Sequence, residues 1–218
     1  MKLSTLTFLV CIIYIWSASF FPSDAHAGFI TIQITGEIDD VYDPHGYLEG
    51  KIEPGDIIKG FYTYETSIPD SSPMDPVQGN YWHYAPPAGI ALTVGGFNFL
   101  TDPFNIAFRI VIRNNTPSGN DIYGVESSNI LPLSNGTQVD YISWSLKDHT
   151  VSALLSDALP TTVPVLDDWQ ENHLQIDNGR YYSIGATVTS SEIIPEPMAI
   201  LLLSLGTIFL RKQRSTKI

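Results

Sequence analysis

The segment Ile106-Ala107-Phe108-Arg109-Ile110-Val111-Ile112-Arg113 places isoleucine or phenylalanine at every second position. Successive side chains of a β-strand point to opposite faces of the sheet, so this period of two predicts a strand with one buried face. Six further segments are predicted strands because they alternate in the same way or are rich in β-branched and aromatic residues. They are residues 30–35, 56–63, 90–94, 122–125, 142–147 and 182–188.

Polar turn sequences separate the predicted strands. Gly95-Gly96, Asn135-Gly136 and Asn178-Gly179 are typical of tight turns. Only Val151–Leu159 has the composition of a short helix, which Pro160 would end. Seven or more short strands with polar turns predict one all-β domain, an antiparallel β-sandwich of the jelly-roll or Ig-like type.

The chain begins with a predicted secretion signal over residues 1–27. A basic residue precedes an apolar segment at residues 6–21, and Ala25-His26-Ala27 has the small-x-small form of a signal-peptidase site. Ala25 and Ala27 are therefore the expected recognition residues, and the mature chain is expected to start at Gly28. The alternative of an uncleaved N-terminal anchor is disfavoured by the proline and polar residues at 22–24.

The chain ends with a three-part tail at residues 193–218. The motif Pro195-Glu196-Pro197 is followed by an uncharged apolar run from Met198 to Leu210 and then by basic residues, Arg211, Lys212 and Arg214. The prolines keep the motif extended, the apolar run predicts a membrane helix, and the basic cluster predicts its cytoplasmic end. A helix over this run would be about 20 Å long, short of the roughly 30 Å of a hydrocarbon core. The tail is therefore better suited to attaching the chain to the membrane temporarily than to anchoring it permanently.

This order of motif, apolar run and basic end resembles the PEP-CTERM sorting signal of exported proteins of Gram-negative bacteria. The resemblance covers residues 195–217. It implies that an exosortase, a membrane transpeptidase-like enzyme, removes the tail near the Pro-Glu-Pro motif and passes the protein to the cell surface or medium. Gly60–Ser71 and Ala158–Trp169 are similar to segments that recur in the ectodomains of such proteins, although Glu65 stands where aspartate is expected. The alternative is an ordinary C-terminal tail anchor.

Removal of both ends leaves an acidic ectodomain, residues 28–192, that contains no cysteine. The only cysteine, Cys11, lies in the signal peptide, so the mature domain forms no disulfide and no thiolate metal site. Between Gly28 and Pro197 there are six basic and 22 acidic residues, a net charge of −16 compared with −12 for the whole chain. A surface of this charge repels nucleic acid and anionic lipid. Nucleic acid is therefore excluded as a partner, and membrane association is expected to be transient and to involve the tail.

An acidic stretch at residues 39–46 is the candidate metal site. Asp39, Asp40 and Asp43 supply carboxylates, the ligands that a hard cation such as Ca²⁺ prefers. The spacing is not that of an EF-hand loop. The preferred interpretation is a solvated acidic hairpin with Pro-His-Gly as its turn, so no cofactor is expected.

Aromatic residues at Tyr81, Trp82 and Tyr84 form the candidate ligand-binding segment. Sugar-binding modules stack pyranose rings on exposed aromatic faces, which favours a glycan such as exopolysaccharide as the ligand. The alternative is ordinary strand packing, in which tryptophan and tyrosine are common. Trp144 lies on an apolar face and is predicted to be in the core, whereas Trp82 lies among proline and asparagine residues and is predicted to be exposed.

Catalytic motifs are lacking. The sequence contains no Gly-x-Ser-x-Gly elbow, His-Glu-x-x-His helix or phosphate-binding loop. Asp148-His149 is interpreted as a strand-ending turn, because adjacent strand residues point to opposite faces. We therefore expect a non-enzymatic structural or adhesive protein of the extracellular matrix, associated with exopolysaccharide. A carbohydrate-binding module is the main alternative, and a secreted hydrolase is the third.

Overall fold

The computed structural model describes residues 28–194. The predicted signal peptide and the predicted sorting tail, except its first two residues, lie outside these residues. Those two residues, Ile193 and Ile194, belong to the last strand of the sheet and not to the tail. Within the described range, no helix has the length and apolar character needed to cross a membrane.

The described residues form ten β-strands and one short 3-10 turn at Leu166–Asp168. The strands are β1 Phe29–Tyr42, β2 Ile57–Glu65, β3 Gln78–His83, β4 Gly89–Val94, β5 Phe97–Leu100, β6 Ala107–Arg113, β7 Asp121–Ser128, β8 Tyr141–Asp148, β9 Glu171–Asp177 and β10 Ser183–Ile194. All seven predicted strands are confirmed. The sequence analysis missed β3, β5 and β9, which are polar or short.

One antiparallel sheet contains all ten strands. Its order is β3-β6-β7-β8-β9-β10-β1-β2-β4-β5, and every neighbouring pair is antiparallel. The sheet curls into a half-barrel, so that strands far apart in this order face each other across the core. The hydroxyls of Tyr62 on β2 and Tyr123 on β7 lie 2.9 Å apart. The prediction of an all-β, antiparallel fold is confirmed.

The apolar residues of the alternating pattern line the inside of this curl. Phe108, Ile110 and Ile112 of β6 are fully buried, and Trp144 of β8 has no exposed surface, which confirms its prediction as a core residue. Burial of each such side chain stabilises the fold by about 1.5–3 kcal/mol. The core is thus assembled from one face of nearly every strand.

The predicted short helix at residues 151–159 is wrong, because this segment is an irregular loop. Its first amide groups donate to carboxylates at the ends of two strands. Asp148 accepts from the N–H groups of Ser152 at 2.7 Å and Ala153 at 2.9 Å, and Asp121 accepts from the N–H of Leu154 at 2.9 Å. Both carboxylates are buried, so the loop closes this end of the core instead of forming a helix.

The first and last strands of the sheet are neighbours. Thr31 of β1 is paired with Ile194 of β10, and Phe29 is paired with Glu65 of β2. The carbonyl of Gly28 accepts hydrogen bonds from the amide and the hydroxyl of Thr66, both at 3.0 Å. The start and the end of the described chain therefore emerge at the same end of the sheet, about one strand spacing apart.

Candidate functional site: an aromatic and charged patch on the outer face

An aromatic and charged patch occupies the outer face of β3, β6 and β7. Strand pairing places Trp82 opposite Arg109 and Arg109 opposite Glu126, so the three residues form one row across the sheet. Tyr84 follows Trp82 by two residues and projects from the same side, because side chains alternate along extended backbone. We call Trp82, Tyr84, Arg109 and Glu126 the outer patch.

The two aromatic rings of the outer patch are parallel. The rings of Trp82 and Tyr84 are 5.9 Å apart between centroids, with an interplanar angle of 4°. Tyr84 is 69% exposed, whereas Trp82 is half-buried. The patch therefore presents a stacked pair of aromatic rings at the surface, and most of their exposed area belongs to Tyr84.

A cation and a carboxylate flank this surface. The guanidinium carbon of Arg109 lies 4.8 Å from the centroid of the Trp82 ring, within the range of a cation–π interaction. The same guanidinium donates to a carboxylate oxygen of Glu126. The Arg109 Nε is buried and has no hydrogen-bond partner among the described residues. These contacts fix the orientation of the Trp82 ring.

A shallow cleft of about 70 Å³ adjoins the row. Trp82 and Glu126 line it together with Ser128 and Tyr141. The cleft thus combines aromatic rings with hydroxyl and carboxylate groups at the surface. In general, aromatic rings offer apolar faces for stacking, and hydroxyl and carboxylate groups offer hydrogen bonds to a polar ligand.

Tyr81 does not belong to this patch, although the sequence analysis grouped it with Trp82 and Tyr84. Its side chain points to the inner face and is 6% exposed. Its hydroxyl donates to the backbone carbonyl of Asp157 at 2.9 Å, and burial raises its pKa above the ordinary tyrosine value. Tyr81 therefore anchors the 149–165 loop.

The three aspartates of the candidate metal site are separately engaged. Asp43 accepts the backbone amides of Tyr47 at 2.9 Å and Leu48 at 2.7 Å, so its carboxylate caps a turn. Asp39 accepts from the hydroxyl of Thr187 at 2.8 Å. Asp40 lies over Gly185, where any Cβ would clash with it. Residues 28–194 contain no cluster of three or more His, Cys, Asp or Glu side chains arranged to hold a metal.

The side chains of Asp148 and His149 have separate hydrogen-bond partners in the described structure. Asp148 accepts hydrogen bonds from the Thr150 hydroxyl, and these with the backbone amides that follow hold its pKa well below the usual range. His149 instead contacts the side chains of Asn120 and Glu171, each at 2.6 Å. The interpretation of Asp148-His149 as a strand-ending turn is confirmed.

The sequence analysis missed two members of the outer patch, Arg109 and Glu126. Each lies at an outward position of an alternating strand, but nothing in the sequence pairs β3 with β6. The predicted processing residues lie outside the described residues: Ala25, Ala27, Pro195, Glu196, Pro197, Arg211, Lys212 and Arg214.

Comparisons of the chain with protein-family models, with curated proteins and with solved structures found no match.

Proposed function

We propose that this chain is the precursor of an exported surface or extracellular-matrix protein, sorted by an exosortase and having a structural or adhesive role beside exopolysaccharide. The observation that supports it most is the position of the described strands. All ten lie between the two proposed processing sites: β1 starts at Phe29, two residues after the proposed signal-peptidase site at Ala27, and β10 lies N-terminal to the Pro-Glu-Pro motif and includes Ile194. Removal of both ends would leave every strand of the described sheet intact.

The adjacency of β1 and β10 supports the sorting step. With Thr31 and Ile194 paired, a signal peptide and a membrane-held tail would leave the domain from the same end. The folded domain would then be held close to the membrane at that end, with the extended Pro-Glu-Pro motif between sheet and bilayer. A protease or transpeptidase in the membrane would reach the motif without unfolding the domain.

The ectodomain in this proposal is sandwich-like, jelly-roll or Ig-like, in that the two halves of the curled sheet pack face to face. Because the mature chain has no cysteine, its stability outside the cell would come from this core. Its acidic surface would keep it soluble among polysaccharide chains.

Substitution of the motif tests this proposal. The double variant Pro195→Ala, Pro197→Ala is expected to accumulate in the membrane fraction as an unprocessed precursor. Pro117→Ala, which changes an exposed loop proline of the ectodomain, is the matched control and is expected to be processed normally. Equal processing of both variants would show that the motif is not read.

A second candidate function, glycan binding, is supported by the outer patch. The parallel rings of Trp82 and Tyr84 and the adjoining Arg109–Glu126 pair are suited to one hexose unit of a neutral polysaccharide. Affinity electrophoresis of the mature protein in gels containing the polysaccharide of its host would measure the binding.

Two exposed tyrosines provide a matched comparison for that measurement. Tyr84→Ala is expected to abolish retardation in the gel, whereas Tyr42→Ala, at a tyrosine that is 60% exposed outside the patch, is expected to leave it unchanged. Equal retardation of wild type and Tyr84→Ala would remove glycan binding as a function of this surface.

A further inference from the structure

An apolar groove lies on the outer face of the opposite end of the sheet. Strand pairing places Phe61 of β2, Ala91 of β4 and Leu100 of β5 side by side, and all three line the groove. Pro103 and Leu131 form part of its rim. Phe61 is 45% exposed, whereas phenylalanine is among the residues most often buried in folded proteins.

The polar group available within the groove is already engaged. The hydroxyl of Thr101 accepts a hydrogen bond from the amide of Ile90 at 2.9 Å and lies 2.7 Å from the hydroxyl of Ser127. Ligand pockets use a few free polar groups to orient a small molecule. The groove instead offers shape and apolar contact, which suits an apolar side chain.

Phe104 follows the rim residue Pro103 along the chain and is 96% exposed. Its amide donates to the Asp102 carboxylate at 2.9 Å in a tight turn. An exposed large apolar side chain is thus adjacent in the chain to a residue that lines the apolar recess. The groove holds about 260 Å³, more than the roughly 150 Å³ cavity that accepts benzene.

The walls of the groove carry no charge. No Asp, Glu, Lys or Arg lines it, and none occurs in residues 84–101, 103–108 or 127–139. Two charged residues lie beside it along the chain: Asp102, which follows the lining residue Thr101, and Lys59, two residues before Phe61. The rest of the mature domain is strongly acidic. Two copies would repel each other over most of their surfaces and approach with least repulsion at this one.

We propose that the mature protein self-associates through this surface, with Phe104 of each copy inserted into the apolar groove of the other. A side chain and its recess on one surface form two equivalent contacts about a two-fold axis, which closes the assembly as a dimer. This interaction is independent of the outer patch and of the sorting step. The dimer would be bivalent for any ligand of the outer patch, because it presents two copies of that patch.

Sedimentation equilibrium of the protein recovered from the surface or medium of its host tests the proposal. Wild type is expected to be a dimer, and Phe104→Ser is expected to weaken association at least about 100-fold, because each dimer loses two buried rings. Leu155→Ser is the matched control, since Leu155 is 99% exposed in a loop that does not line the groove. It should associate as wild type does.

A mixing experiment separates this contact from general adhesiveness. Ala91→Glu introduces a carboxylate into the groove but leaves Phe104 free, so it should also be monomeric. A mixture of Ala91→Glu and Phe104→Ser retains one intact insertion and should form a measurable mixed dimer, weaker than wild type. Thermal unfolding of each variant shows whether it is folded.

Three results would overturn the proposal. The first is a monomeric wild type at millimolar concentration, and the second is equal association of Phe104→Ser and Leu155→Ser. The third is a small apolar molecule found by native mass spectrometry on wild type and lost from Ala91→Glu, which would assign the groove to a ligand.

Increasing salt should strengthen the dimer, because screening reduces the repulsion between two acidic copies.

Discussion

Tyr81 and Trp82 are consecutive residues of β3 that belong to two different parts of the molecule. Tyr81 is buried on the inner face and bonded to the Asp157 carbonyl. Trp82 lies on the outer face, beside Tyr84 and Arg109. The two faces of one strand therefore have different roles: the inner face provides stability, and the outer face is available for recognition. Substitutions on the two faces should therefore differ in what they change.

The largest expected effect is on the inner face, at Trp144. Its ring is fully buried, and its Nε1–H donates to the Asn172 side chain at 2.9 Å. Trp144→Ala should lower the free energy of unfolding by about 3–5 kcal/mol, because it leaves a cavity at the centre of the core. Denaturant unfolding followed by circular dichroism measures the change, and a loss below about 1 kcal/mol would contradict this placement.

The hydroxyl pair of Tyr62 and Tyr123 should show a smaller effect with a distinctive pattern. Both rings are buried, and their hydroxyls lie 2.9 Å apart. Either Tyr→Phe variant should cost about 1–3 kcal/mol, because the remaining hydroxyl is left buried without its partner. The double Phe variant should be less destabilised than the sum of the two, and a double-mutant cycle measures this coupling. If the losses of unfolding free energy in the two single variants simply add in the double variant, the two halves of the sheet do not meet at Tyr62 and Tyr123.

His83 makes the inner face sensitive to acid. It is buried between the rings of Tyr64 and Phe108, and desolvation lowers its pKa below the ordinary value, which is about 6.5. Between the lowered pKa of the folded state and about pH 6.5, the unfolded chain therefore binds a proton at His83 that the folded chain does not bind. Stability should be full above about pH 6.5 and should fall as the pH drops towards the lowered pKa of the folded state.

Unfolding curves between pH 7.5 and 5 for wild type and two variants check this sign. His83→Asn should lose the part of the slope that arises from this imidazole. His45→Asn, at an exposed histidine, should keep the slope of wild type. A slope that is identical in all three proteins would show that His83 does not titrate as described.

The smallest effect on stability is expected on the outer face. Trp82→Ala removes a half-buried ring from an edge strand and should cost about 1 kcal/mol or less. The same variant should lose retardation by polysaccharide if the outer patch binds glycan. Destabilisation comparable to that of Trp144→Ala would remove the distinction between the faces.

Prediction from the sequence succeeded where one strand alone carries the signal. The alternation in β6 is enough to predict both the strand and its buried face, and Trp144 follows from the same rule. It failed for β9, where Leu174 and Ile176 are its only buried apolar residues and polar residues surround them.

The outer patch could be predicted only in part. Trp82 and Tyr84 were identified by residue type, but their contact with Arg109 depends on the pairing of β3 with β6. These strands are separated along the chain by β4 and β5, which lie at the other edge of the sheet. Such pairings are set by the packing of the whole core, which no local pattern encodes. For the same reason Tyr81, which faces inward, was grouped with Trp82, whose position on the exposed side was predicted.

The intact mass of the protein recovered from the surface or medium of its host distinguishes a processed from an anchored tail. We predict a species that begins at Gly28 and ends near Pro195 to Pro197, with any extra mass belonging to an attached group. A species that retains Arg211 to Ile218 and occurs only in the membrane fraction would contradict it, because the tail would then be a permanent anchor.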